Sequence, residues 1–242
     1  MSVTLERASP HSLGFVRDPM TIPSAQSDVA GNLGVAIFLY RDDGTGVYAA
    51  PVRNGDAFTH LATLGAYGYT GEVEYQYPDT GSFDVVSSLG PSGGGLRTVA
   101  AWLAFAGVDG TTPLAGTVSE EEYDSGGSWA APSLSPGGSA DDLNVSILML
   151  GGWDGDFGDA TGATIAPASG GGRTLAFDQL WEGEYLMNRP HMLVMTAPGG
   201  TAMNWSITGA QPTYAHIAFT VKSAAAGGGG DDDGLPPFFF FD

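Results

Sequence analysis

Apolar and non-apolar side chains alternate with a period of two along most of this chain, and that alternation restricts the fold more than any other feature. Leu33, Val35, Ile37 and Leu39 repeat every second residue. So do Leu143, Val145, Ile147 and Met149, then Val99, Ala101, Leu103 and Phe105, and again Thr213, Ala215, Ile217 and Phe219. Such a run is a strand with one face toward a core. The runs are cut at fairly regular intervals by turn dipeptides: Asp43-Gly44, Asn54-Gly55, Asp109-Gly110 and Asp154-Gly155. Short alternating runs between turn signals predict an all-β sandwich or barrel. The 38 glycines and 15 prolines punctuate these runs. The stretch Leu96–Ala106 comes nearest to a helical pattern, but its β-branched and aromatic content favours a buried strand.

The expected architecture is therefore an antiparallel two-sheet sandwich, jelly-roll-like, with about eight main strands. An internal duplication into two four-strand halves is one reading. In it the run from Leu33 parallels the run from Leu143, Val73–Tyr77 parallels Leu175–Gln179, Phe83–Val85 parallels Met203–Trp205, and Leu103–Phe105 parallels Ile217–Phe219. The other reading is that any two meanders of alternating strands align this well. The sandwich is expected over residues 28–222. Residues 1–27 read as one edge strand (Val3–Ala8) and an extended arm bearing Pro10, Pro19 and Pro23. Residues 223–242 read as a Gly- and Asp-rich linker, unable to build a core, before an aromatic terminus.

Charge narrows the partners. There are 27 acidic and 8 basic residues, for a formal net charge of −19. That argues against nucleic acid and against a polybasic membrane surface. The 43% hydrophobic content argues against a disordered polyanion. With no cysteine, disulfides, thiolate metal sites and thiol nucleophiles are excluded. The first residues have no apolar signal-peptide core and no stretch is long enough for a spanning helix, so a soluble protein made in the cytoplasm is expected.

Few residues suggest chemistry. Asp154, Asp156 and Asp159 lie on one glycine-rich loop and could converge on Ca²⁺, although Ile165 stands where an EF-hand loop would carry its closing Glu. The simpler reading is a solvated acidic hairpin loop between strands. Trp153 is the aromatic placed to stack on a sugar, whereas Trp102 and Trp205 sit within strand patterns and are expected in the core. Glu72 and Glu74, two apart on a strand, share a face, but no local sequence specifies a catalytic cleft. His11, His60, His191 and His216 show no metal-ligand spacing, and His216 is expected to face solvent. No catalytic motif is recognisable, and the chain is expected not to be an enzyme.

The terminus is different. Leu235 and Phe238, Phe239, Phe240 and Phe241 make an apolar peptide that would be costly to leave in water. It reads as a partner-docking anchor on a tether, or as a segment folded back on its own sandwich.

The stretch from Val99 to Leu114, a hydrophobic strand running into Gly107-Val108-Asp109 and then Thr111-Thr112-Pro113-Leu114, resembles a segment of tailed-bacteriophage virion structural proteins. Ala131–Leu134, Asp142–Leu148 and Tyr214–Lys222 are similar to later strands of that family, and the resemblance covers about residues 28–222. It implies a jelly-roll or lectin-like β-sandwich on a virion, assembled in the host cytoplasm and exposed after release. It implies a non-catalytic subunit, such as a capsid decoration, head-fibre or tail-associated protein. Its partners would be other virion proteins, with the chain a homo-oligomer or present in many copies. The alternative is a host-attachment module that binds surface glycans, with or without Ca²⁺.

Overall fold

The computed structural model of the chain describes residues 2–16, 20–41, 48–53, 55–66, 69–88, 96–115, 119–123, 131–151, 164–180, 190–209 and 213–224. Among them there are strands, turns and no helix, so no helix is long and apolar enough to cross a membrane. The all-β, antiparallel, sandwich-like class expected from the alternation is what the chain adopts.

The first half contains β1 (Thr4–Val16), β2 (Met20–Arg41), β3 (Ala49–Arg53), β4 (Asp56–Ala57), β5 (Thr59–Ala66), β6 (Tyr69–Ser88) and β7 (Leu96–Ala106). The second contains β8 (Ser119–Tyr123), β9 (Ser133–Leu134), β10 (Leu143–Gly151), β11 (Thr164–Pro167), β12 (Thr174–Leu180), β13 (His191–Pro198), β14 (Met203–Thr208) and β15 (Thr213–Val221). These fifteen strands exceed the eight expected, because several turns join pieces shorter than the sequence periodicity can separate. Strand β1 pairs with β7 over its length, and β2 begins at Met20, so most of residues 1–27 lies within the first sheet and not in an arm. The acidic run Glu120-Glu121-Glu122 lies in β8 and pairs with β15.

The strand pairing shows a duplication larger than the one the sequence suggests. Strands β2 and β6 are long and change register midway, between Ile22 and Gly34 on β2. Counting each as two segments, the first half pairs β1 with β7, late β2 with β7 and with early β6, and β5 with early β6. Early β2 and β3 both pair with late β6. The second half repeats all six pairings in the same chain order. There β8 pairs with β15, β10 with β15 and with β13, β12 with β13, and β9 and β11 with β14. Each half is thus an eight-segment unit, with β4 extra in the first. A bulge recurs at the same place, between His60 and Ala62 on β5 and between Leu175 and Phe177 on β12.

The registers fix equivalent residues. Ile37 and Ile147 are counterparts, each flanked by Val73 or Val194 on one side and by Ala101 or Ile217 on the other. Val73–Tyr77 therefore corresponds to β13 and not to Leu175–Gln179, and Leu103 corresponds to Phe219 and not to Ile217. The sequence comparison slipped because period-two strands align equally well at any even shift.

One shared core joins the halves. Val35, Ile37, Leu39, Val73, Leu103 and Phe105 of one sheet pack with Val145, Ile147, Met149, Val194, Ile217 and Phe219 of the other. Each sheet buries its outer face as well. Met20, Ile22, Phe38, Phe58, Val85 and Trp102 cover the first, and Leu148, Leu193, Met195, Met203 and Trp205 cover the second. Trp102 and Trp205 are both core residues, as expected.

Trp102 has a particular seat. A Cβ added to Gly34 would lie 2.1 Å from its ring, so only glycine lets the indole come this close to β2. The Arg53 guanidinium lies over the ring, 4.7 Å from its centroid. Gly34→Ala is expected to lower stability by about 1–3 kcal/mol through overpacking. It should appear as a lower urea midpoint with an unchanged m-value. An unchanged midpoint would show that the indole has room to move.

Candidate functional site

The first half carries a polar group where the second carries core. Glu72 and Glu74 project from β6 onto the outer face of the first sheet, beside Phe38 and Ala36 of β2 and Thr63 and His60 of β5. Both carboxylates are buried, Glu74 to 1% exposure, while the His60 side chain is half exposed. His60 Nδ1 is 2.9 Å from Glu74 Oε1 and 3.8 Å from Glu72 Oε2. Thr63 Oγ1 donates to Glu72 Oε2 at 2.6 Å and lies 3.3 Å from His60 Nε2. The Tyr40 hydroxyl donates to Glu72 Oε1 at a long 3.5 Å. Tyr48 stacks on Tyr40 with ring centroids 5.9 Å apart. Glu74 Oε2 is buried and has no hydrogen-bond partner among the described residues.

Burial dominates the electrostatics. It pushes both carboxyl groups above the usual carboxylate range, and the hydrogen bond from Thr63 to Glu72 and the proximity of His60 to both only partly oppose it. Burial also raises the Tyr48 phenol well above its ordinary value, with Glu74 and Glu72 adding smaller effects in the same direction. His60, Glu72 and Glu74 are the described residues whose donor atoms gather closely enough to hold a metal ion.

The sequence showed that Glu72 and Glu74 share a face, but it did not connect them with His60. That link depends on the β5–β6 register, which places His60 opposite Glu74 only because of the bulge before Ala62. The pairing of short turn and strand in residues 59–74 was the signal available.

The other histidines are separate. His216 is fully buried, contrary to the expectation of solvent exposure, because both faces of β15 are covered. Ser146 Oγ lies 2.8 Å from its Nε2 and accepts from Trp205 Nε1 at 2.9 Å. Burial lowers the His216 pKa to about 3, leaving it neutral at physiological pH. His191 on β13 contacts Asp178 on β12. His11 on β1 is half-buried. Trp153, Asp154, Asp156 and Asp159, together with Leu235, Phe238, Phe239, Phe240 and Phe241, lie outside the described residues.

No protein-family model matches the chain, and comparison with curated proteins and with solved structures returns no match. The class the fold defines is a duplicated antiparallel β-sandwich.

Proposed function

We propose that this chain is a non-catalytic structural protein of a tailed-phage virion that docks to neighbouring virion proteins. What carries the reading is the segment resembling that family, taken with the place it occupies. Val99–Ala106 lies in β7, between the edge strand β1 and β2. Residues 107–115 then cross to the second half. Val108 bridges to Ser223 and Leu114 to Val221. Asp109 N donates to Lys222 O, and Lys222 N donates to Pro113 O. Asp109 Oδ1 accepts from Thr111 N at 2.8 Å and Thr112 N at 2.9 Å, closing the turn. These contacts hold its carboxyl down at about 2, well below the usual range. The family-like stretch is thus the splice between two copies of one unit. Two copies around a common core suit a rigid building block better than a hinged one.

The apolar terminus supplies the docking element in this reading, through burial of aromatic side chains against a partner. Removing Leu235–Asp242 is expected to leave the circular dichroism and thermal midpoint of the sandwich unchanged and to abolish incorporation into particles. Normal incorporation of a folded, truncated protein would refute the docking role.

A further inference from the structure

We infer that His60, Glu72 and Glu74 form a binding site for a single first-row divalent cation of the zinc type. The duplication provides an internal comparison. By strand register, the counterparts of Glu72 and Glu74 are Leu193 and Met195, both fully buried in the apolar outer core of the second sheet. The fold is therefore satisfied by apolar side chains at these positions. Two carboxylates there carry a desolvation cost that folding alone does not require.

The hydrogen bonds point the same way. Thr63 has one hydroxyl hydrogen, and the 2.6 Å contact assigns it to Glu72 Oε2. With that hydrogen used, His60 Nε2, 3.3 Å from the same hydroxyl oxygen, makes a favourable contact in the tautomer that carries its proton on Nε2. In neutral His60 that leaves the Nδ1 lone pair facing Glu74 Oε1 at 2.9 Å, two acceptors with nothing positive between them. A cation completes the group: either a proton on Nδ1 or a metal ion in its place. One proton leaves two buried carboxylates opposed by a single charge, and Glu74 Oε2 still without a partner among the described residues. A divalent ion balances both carboxylates and can engage that oxygen.

The spacing fits. Tetrahedral Zn²⁺ with bonds near 2.0 Å sets its ligand atoms about 3.3 Å apart. The 2.9 and 3.8 Å separations bracket that value, and the three donor atoms lie within 4.8 Å of one another. An imidazole with carboxylates favours zinc and its neighbours over calcium, whose ligands are all oxygen. Thr63 is the outer-shell residue, orienting both His60 and Glu72. His60, half exposed, leaves the ion reachable from solvent.

Calorimetric titration of the chelator-treated full chain with Zn²⁺ and, separately, Ca²⁺ tests the site. Expected are one Zn²⁺ site and much weaker Ca²⁺ binding. Glu74→Gln should weaken Zn²⁺ binding at least about 100-fold, and His60→Ala at least about tenfold, with both variants folded by circular dichroism. The paired change Glu72→Leu with Glu74→Met, which installs the second-half residues, should abolish binding and raise the thermal midpoint in chelator. Absence of Zn²⁺ binding to the unaltered chain would mean that a proton alone completes the group and would overturn the inference. So would undiminished binding in folded Glu74→Gln, or Ca²⁺ binding as tightly as Zn²⁺.

Discussion

Acidification from pH 7 to pH 4 is expected to cost this protein on the order of 3 kcal/mol of unfolding free energy through His216 alone. The sign follows from burial. In the unfolded chain the imidazole titrates near its model value of 6.5, whereas in the folded protein its pKa falls to about 3. Between those values the unfolded state binds a proton that the folded state refuses. The neutral form's contribution is complete above pH 6.5 and is lost as pH falls toward 3. Glu72 and Glu74 act oppositely, because their raised pKa values let the folded state take up protons first. The effect is therefore read as a difference between two proteins. His216→Leu keeps Trp205 Nε1 donating to Ser146 Oγ and places an apolar side chain beside Leu148. Urea unfolding of both at pH 7 and pH 4 should show a loss smaller by about 3 kcal/mol in the variant. Parallel pH dependence would mean that the imidazole is hydrated in the folded state.

Arg53 is the second sensitive point. Its guanidinium is 2% exposed and paired with Asp79, itself 3% exposed. It donates to Ala25 O at 2.8 Å and to Gly81 O at 2.7 Å, tying β3 to the early part of β2 and to the bend of β6. Trp102 and Phe83 flank it at 4.7 and 5.7 Å from their ring centroids. Burial lowers its pKa. Arg53→Met removes the charge and leaves the Asp79 carboxylate buried beside it, which typically costs about 3–5 kcal/mol. Adding Asp79→Asn should restore a large part of that loss, because the buried negative charge is removed along with the positive one. A double variant as unstable as the single one would place the cost in lost packing on Trp102 instead.

Period-two runs and turn dipeptides were enough to read the all-β class and the inward faces of β2, β7, β10 and β15. They could not read registers. Val73 and Leu175 both sit in alternating strands, and only the ladders show that Val73 answers to Val194. His216 illustrates the same limit. Alternation marks one face as apolar, but β15 is buried on both faces, and the second cover, from Met203 and Trp205 of β14 with Leu134 and Ile165, leaves no mark on the alternation of β15 itself. The His60–Glu72–Glu74 group was half legible, since two glutamates two apart share a face in any strand. Its third member enters through a bulge and a cross-strand pair, and its distinction from ordinary core appears only against Leu193 and Met195 in the other half. Arg53 carries no sequence signal for burial, because its partners Ala25, Asp79 and Gly81 come from two other strands, β2 and β6.

Mass spectrometry of gradient-purified particles, released by lysis of the cells that make this chain, tests its proposed place in a virion most directly. The chain should co-sediment with the particles in a fixed ratio to the other structural proteins and resist a high-salt wash. Recovery only in the soluble fraction, with none in the particles, would contradict it.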